Sequence, residues 1–173
     1  MYKSFAITLF LTLGVLPCIG FQQPTLTTGT PLRPPAELNR NLYRADVDAA
    51  EEIQEKVTAA GKEHKHVLLV FGGNWCLDCH VLDNGFHVPR VASILNSNFE
   101  VVHVDIGEYN KNLNLAEQYG IPLKKGVPAV AVLDGKGRLL HSQKNGDFEA
   151  ARRMTEEDLI AFLNKWKPPT RKQ

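Results

Sequence analysis

The sequence predicts an α/β domain, a mixed sheet with helices on both faces. Two apolar runs carry this expectation, Val67 to Phe71 and Gly126 to Leu133, each with the length and β-branched content of a buried strand. Around them, segments with apolar residues at helical spacing alternate with strand-like ones. The order is helix-strand-helix-strand-helix-strand-strand-helix, which implies a sheet covered on both sides. At 173 residues the chain has room for one such domain plus appendages.

The first twenty residues stand apart. Lys3 supplies a short positive region, Phe5 to Leu16 is uncharged and mostly apolar, and Pro17 breaks the run. Cys18-Ile19-Gly20 then offers small residues at the −3 and −1 positions of a cut before Phe21. Residues 1–20 therefore read as a secretory signal peptide, shorter in its apolar run than a membrane span of ~20 residues. An uncleaved anchor and lipidation at Cys18 are the alternatives, although Val15-Leu16-Pro17 lacks the small residues that usually precede a lipidated cysteine. Residues 21–44 carry Pro24, Pro31, Pro34 and Pro35 among Thr and Gln with no apolar period. They read as a linker or extended arm, most simply a flexible lead-in.

The domain itself is expected over residues 45–168, with 169–173 as a tail. From Asp46, the residues Val47, Ala50, Ile53, Val57 and Ala60 recur at helical spacing, and Asp48 with Glu51 resembles a capping box. Gly61 and the basic stretch Lys62 to His66 end this helix, with His64 and His66 solvated at its C-terminus. Leu77 to about Asn84 is expected to be helical, and Val88 to Leu95 resumes the helix after a kink marked by Gly85 and Pro89. Glu100 to Ile106 has the two-residue period of a strand, in which His103 is a satisfied or exposed side chain. Asn112 to Tyr119 forms a short helix closed by Gly120. After Gly126 to Leu133, Asp134-Gly135-Lys136-Gly137 turns a hairpin into Arg138 to Ser142. Thr155 with Asp158 caps a last helix whose apolar face is Leu159, Phe162, Leu163 and Trp166, stopped by Pro168-Pro169.

Twenty Lys and Arg against 19 Asp and Glu leave a formal charge of +1, a balance that implies neither nucleic acid nor an acidic surface as partner. Of the three cysteines, Cys18 leaves with the signal peptide, so the mature chain keeps Cys76 and Cys79. So closely spaced a pair closes too short a loop to constrain the unfolded chain much. Chemistry explains it better than stability does. A zinc site would need two further ligands, and among His64, His66, His80, His87 and His103 only His64/His66 make a second close pair.

The functional stretch is Phe71-Gly72-Gly73-Asn74-Trp75-Cys76-Leu77-Asp78-Cys79-His80. Two cysteines separated by two residues fit the first turn of a helix, one at its tip and one beneath. There the free N–H groups and the helix dipole stabilise a thiolate, the species that attacks disulfides. A strand running into Trp75-Cys76-Leu77-Asp78-Cys79, with Val127-Pro128 opening a later strand, resembles the thioredoxin family over roughly residues 46 to 167. The resemblance implies a thioredoxin-like three-layer sandwich and a redox-active Cys76–Cys79 disulfide, with no bound cofactor or metal. Carried over, Cys76 is the attacking thiolate, Cys79 the resolving thiol and Pro128 a cis proline lying against the pair. Val127 would present backbone groups to an extended substrate, and Trp75 would flank the site. The chain departs from the family in three ways. Val70 stands where many relatives carry a buried acid, Pro122-Leu123-Lys124-Lys125 lengthens the segment before the proline, and Leu77-Asp78 is the signature of no well-known subclass.

These residues lead to an exported thiol–disulfide oxidoreductase, periplasmic or extracellular. Its expected partners are protein thiols and disulfides and a further redox protein, not nucleic acid or membrane, and the expected state is a monomer. Four features should tune Cys76: the helix terminus and His80 lower its pKa, Lys124 and Lys125 assist if they lie at the rim, and Asp78 opposes. The net expectation is a reducing or intermediate potential. Cys76, Cys79 and His80 also spell a haem c attachment site, with Met154 as second axial ligand, so an electron carrier is one alternative. A redox-inert interaction domain is the other.

Overall fold

The computed structural model describes residues 29–170. The expected signal peptide, the first residues of the arm and the last three of the tail lie outside them. The elements are α1 Ala49–Glu63, β1 His66–Gly72, α2 Leu77–Phe86, α3 Pro89–Asn98, β2 Phe99–Asp105, α4 Leu113–Gln118, β3 Ala129–Leu133, β4 Leu139–Ser142 and α5 Glu156–Trp166. Short 3-10 turns at Leu123–Lys125 and Ala151–Arg153 complete the set.

The sheet runs β2-β1-β3-β4. β1 pairs in parallel with β2, Leu69 opposite Val102, and antiparallel with β3, Leu69 opposite Ala131. The parallel pair needs a long crossover, which α2 and α3 supply. The two central strands are buried on both faces, hence their unbroken apolar runs. Val67, Leu69 and Phe71 face one core with α1 and α4; Leu68 and Val70 face another with α2, α3 and α5. This is the expected three-layer α/β sandwich.

The details differ from the sequence reading where tertiary contacts decide. The first helix begins at Ala49, capped by the Asp48 carboxylate on the Ala50 and Glu51 N–H groups, and it runs through Gly61 to Glu63. Gly61 is a contact point, because a Cβ there would fall 2.6 Å from the Gly135 carbonyl in the β3–β4 turn. His66 is the first residue of β1, half-buried, with Nδ1 2.7 Å from the Trp166 carbonyl, so it is not a solvated helix end. The kink is a break between two helices: Pro89 starts α3, while Gly85 lies inside α2, bare enough for Leu32 and Leu159 to close over it. α5 has the full capping box, with Thr155 and Asp158 bonding reciprocally.

The largest correction concerns the proline-rich segment. Residues 29–44 are not a free lead-in. Pro31 bridges to Thr155, Leu32 N–H bonds the Met154 carbonyl at 2.9 Å, and Leu32 is buried beside Gly85 and Leu159. Tyr43 is 0% exposed in the α1/α4-side core. The segment is an arm that packs across the domain and ends at the active-site loop.

Candidate active site

β1 delivers the chain to the site at Gly72, and a turn closed by Cys76 N–H on the Gly73 carbonyl starts α2. Cys76 is the N-cap: its Sγ accepts the Cys79 N–H at 3.1 Å, the part an Asp or Ser oxygen usually takes. A sulfur seated there is the sulfur that the helix terminus stabilises as an anion. Cys76 and Cys79 form a disulfide, Cα atoms 5.3 Å apart, with Cys76 5% and Cys79 1% exposed. The outer sulfur is the one a substrate can reach.

Three further sequence-predicted residues gather around it. The Val127–Pro128 peptide is cis, and the Val127 carbonyl lies 3.6 Å from Cys76 Sγ. Trp75 is 46% exposed, its indole N–H bonded to the Gly107 carbonyl at 2.8 Å and its ring against Tyr109. Gly73 lets that indole lie flat on the backbone, since a Cβ would stand 2.6 Å from Trp75 Nε1. Beyond Tyr109, a shallow groove lined by Leu113, Leu123, Lys124 and Gly126 leads to Val127. With Leu77 also exposed, the rim of the site is apolar.

The expected tuning residues fall differently. Asp78 is buried and engaged by Arg152, accepting its backbone N–H at 3.0 Å and its guanidinium at 2.8 Å. A guanidinium counter-charge thus stands beside the carboxylate that is expected to oppose the Cys76 thiolate. Asp78→Asn should cost about 1–2 kcal/mol in urea unfolding, at the low end for a charged hydrogen bond because the Arg152 side chain is half exposed. It should leave the redox equilibrium close to wild type; a marked oxidising shift would restore the tuning role. His80 is buried and donates Nε2–H to the Asn74 carbonyl at 2.9 Å, so it anchors the active-site loop. Lys124 reaches the groove, whereas Lys125 packs against Gly146. The same geometry lends the haem alternative no support: His80 Nε2 is bonded to the Asn74 carbonyl, and Met154 packs against the core on the other face of the sheet from the cysteines.

The sequence reading missed Tyr43, Arg152 and the groove residues Tyr109 and Leu113, and it gave Asn74 no role. Asn74 pairs with Tyr43 twice, Oδ1 accepting its N–H at 2.9 Å and Nδ2 donating to its carbonyl at 2.8 Å. Behind the cysteines, burial alone would push the Asp83 carboxyl up, but His103 at 3.3 Å, with His87 and His80, holds it below the usual range. An aromatic at the end of a proline-rich stretch was the single signal available for Tyr43.

A strand-to-helix disulfide with a cis proline across from it, on a mixed sheet between helices, defines a protein of the thioredoxin class. Residues 48–135 match the thioredoxin-like family model, and the chain belongs to that family. The disulphide isomerase from Xylella fastidiosa Temecula1 shares 35% sequence identity at a TM-score of 0.69, over 75% of this chain and 98% of that one. The oxidised C-terminal domain of DsbD from Neisseria meningitidis, at 19% identity and a TM-score of 0.53, covers 70% of this chain and 97% of its own, a likeness of fold alone. No curated protein sequence matches this one.

Proposed function

We propose that this chain is an exported thiol–disulfide oxidoreductase that reduces or reshuffles disulfides in other exported proteins. The observation that carries the reading is the seat of Cys76: its sulfur caps α2 and lies 3.6 Å from the carbonyl of Val127, whose neighbour Gly126 lines an apolar groove. An extended chain laid along Val127 would bring its own disulfide to that sulfur. The Cys76 thiolate attacks the nearer substrate sulfur, a mixed disulfide forms, and the other substrate sulfur leaves as a thiolate. Cys79 then loses its proton to solvent and attacks Cys76 Sγ. The second substrate sulfur leaves, both take up protons, and two electrons have passed to the substrate. When the freed substrate thiolate instead attacks a second substrate disulfide, and the thiolate this displaces attacks the mixed disulfide, Cys76 leaves as a thiolate and pairing is exchanged without net reduction.

Reshuffling is supported by the 35% identity to a protein described as a disulphide isomerase. Export rests on the character of residues 3–20, with the mature chain acting as a periplasmic or extracellular monomer. The working group is the disulfide itself, recharged by an external dithiol donor. With Asp78 neutralised by Arg152, the helix terminus dominates the tuning, which favours an intermediate over a strongly reducing potential. Catalytic amounts of the dithiol form should restore activity to scrambled ribonuclease and precipitate insulin in the presence of glutathione. Failure in both assays would defeat the proposal.

A further inference from the structure

We infer that Tyr43 is a positioning residue for Cys79: its hydroxyl donates a hydrogen bond to the Cys79 sulfur once the disulfide opens, and so favours the reduced state. This rests on the redox reading above. A Cβ built on Gly72 would fall against the Tyr43 hydroxyl and 2.6 Å from Cys79 Sγ, so hydroxyl and sulfur face each other across the space of one missing methyl group. Tyr43 is wholly buried, and among the described residues its hydroxyl has no hydrogen-bond partner. Its backbone is clamped by Asn74, two residues before Cys76, so the active-site loop itself fixes the ring. The His103 ring meets it edge-on at 5.3 Å, with Asp83 behind His103. Burial, then the negative fields of Asp83 and Asp105, push the phenol pKa far up, which leaves Tyr43 a donor at every working pH.

A disulfide sulfur is a poor acceptor; a thiolate is a strong one. The buried hydroxyl is therefore unsatisfied while Cys76 and Cys79 are joined and best satisfied when Cys79 is a thiolate. In the resolving step Cys79 gives its proton to solvent and attacks Cys76, and the substrate sulfur leaves and is protonated. Tyr43 keeps its proton throughout, and its hydrogen bond raises the fraction of Cys79 present as thiolate.

The test is Tyr43→Phe, equilibrated with glutathione beside the wild type. The expected result is an equilibrium constant shifted about tenfold toward the disulfide, near 30 mV more reducing, with a longer-lived mixed disulfide. In wild type, the Tyr43 Cζ carbon signal should move when a phosphine reduces the pair. Equal constants and lifetimes in variant and wild type would overturn the inference alone, as would a Tyr43 signal that ignores reduction if the variant does not fold. A wild-type disulfide that never exchanges with glutathione would overturn the redox reading and this inference together.

Discussion

Cys76→Ala should bring insulin reduction down to the rate of the reductant alone. No other described side chain can replace it. Cys79 is 1% exposed beneath it, so without Cys76 the remaining thiol cannot meet a protein disulfide. The fold should survive the change, because Cys76 contributes one cap contact and the disulfide spans only three residues of sequence. Loss of activity with an unchanged circular dichroism spectrum is the expected pair of observations. Activity retained above background would move the nucleophile elsewhere.

Leu32→Ala should be a costly change in the arm. Leu32 closes over Gly85 and Leu159, and its backbone is tied to Met154. Truncating a buried leucine costs roughly 2–5 kcal/mol, which for a domain of this size lowers the melting temperature by roughly 5–15 °C. Thermal unfolding measures this directly. A shift of a degree or less would mean that the arm lies on the surface without contributing to the core. The consequence for function is indirect but specific. The arm carries Tyr43 to the back of the disulfide, and Asn74 holds its end, so loosening the arm loosens the site.

The contrast between arm and domain shows what the sequence could convey. β1 and β3 were legible because strands buried on both faces must be apolar at every position, and Val67 to Phe71 and Ala129 to Leu133 are. The caps at Asp48 and Thr155 were legible because a helix N-terminus is satisfied by residues two or three positions away. Cys76 and Cys79 were legible for the same local reason. The partner of Asp78 was not legible, because Arg152 lies 74 residues along the chain and nothing in Leu77-Asp78 signals a guanidinium. The docking of the arm was missed because it is made through two side chains, Leu32 and Tyr43, spaced by no regular period, among prolines that ordinarily mark a linker. Gly72 and Gly85 gave no warning either. Each is bare because something from another part of the chain must approach, and that requirement exists only in three dimensions.

The central claim, that Cys76 attacks and Cys79 resolves, is tested most directly by trapping with Cys79→Ala. Incubated with a disulfide-bonded protein substrate, the reduced variant should accumulate a covalent adduct that reductant dissolves, with mass spectrometry locating the link at Cys76. The wild type should show the adduct only transiently. An adduct equally persistent in wild type, or none at all in the variant, would contradict the account.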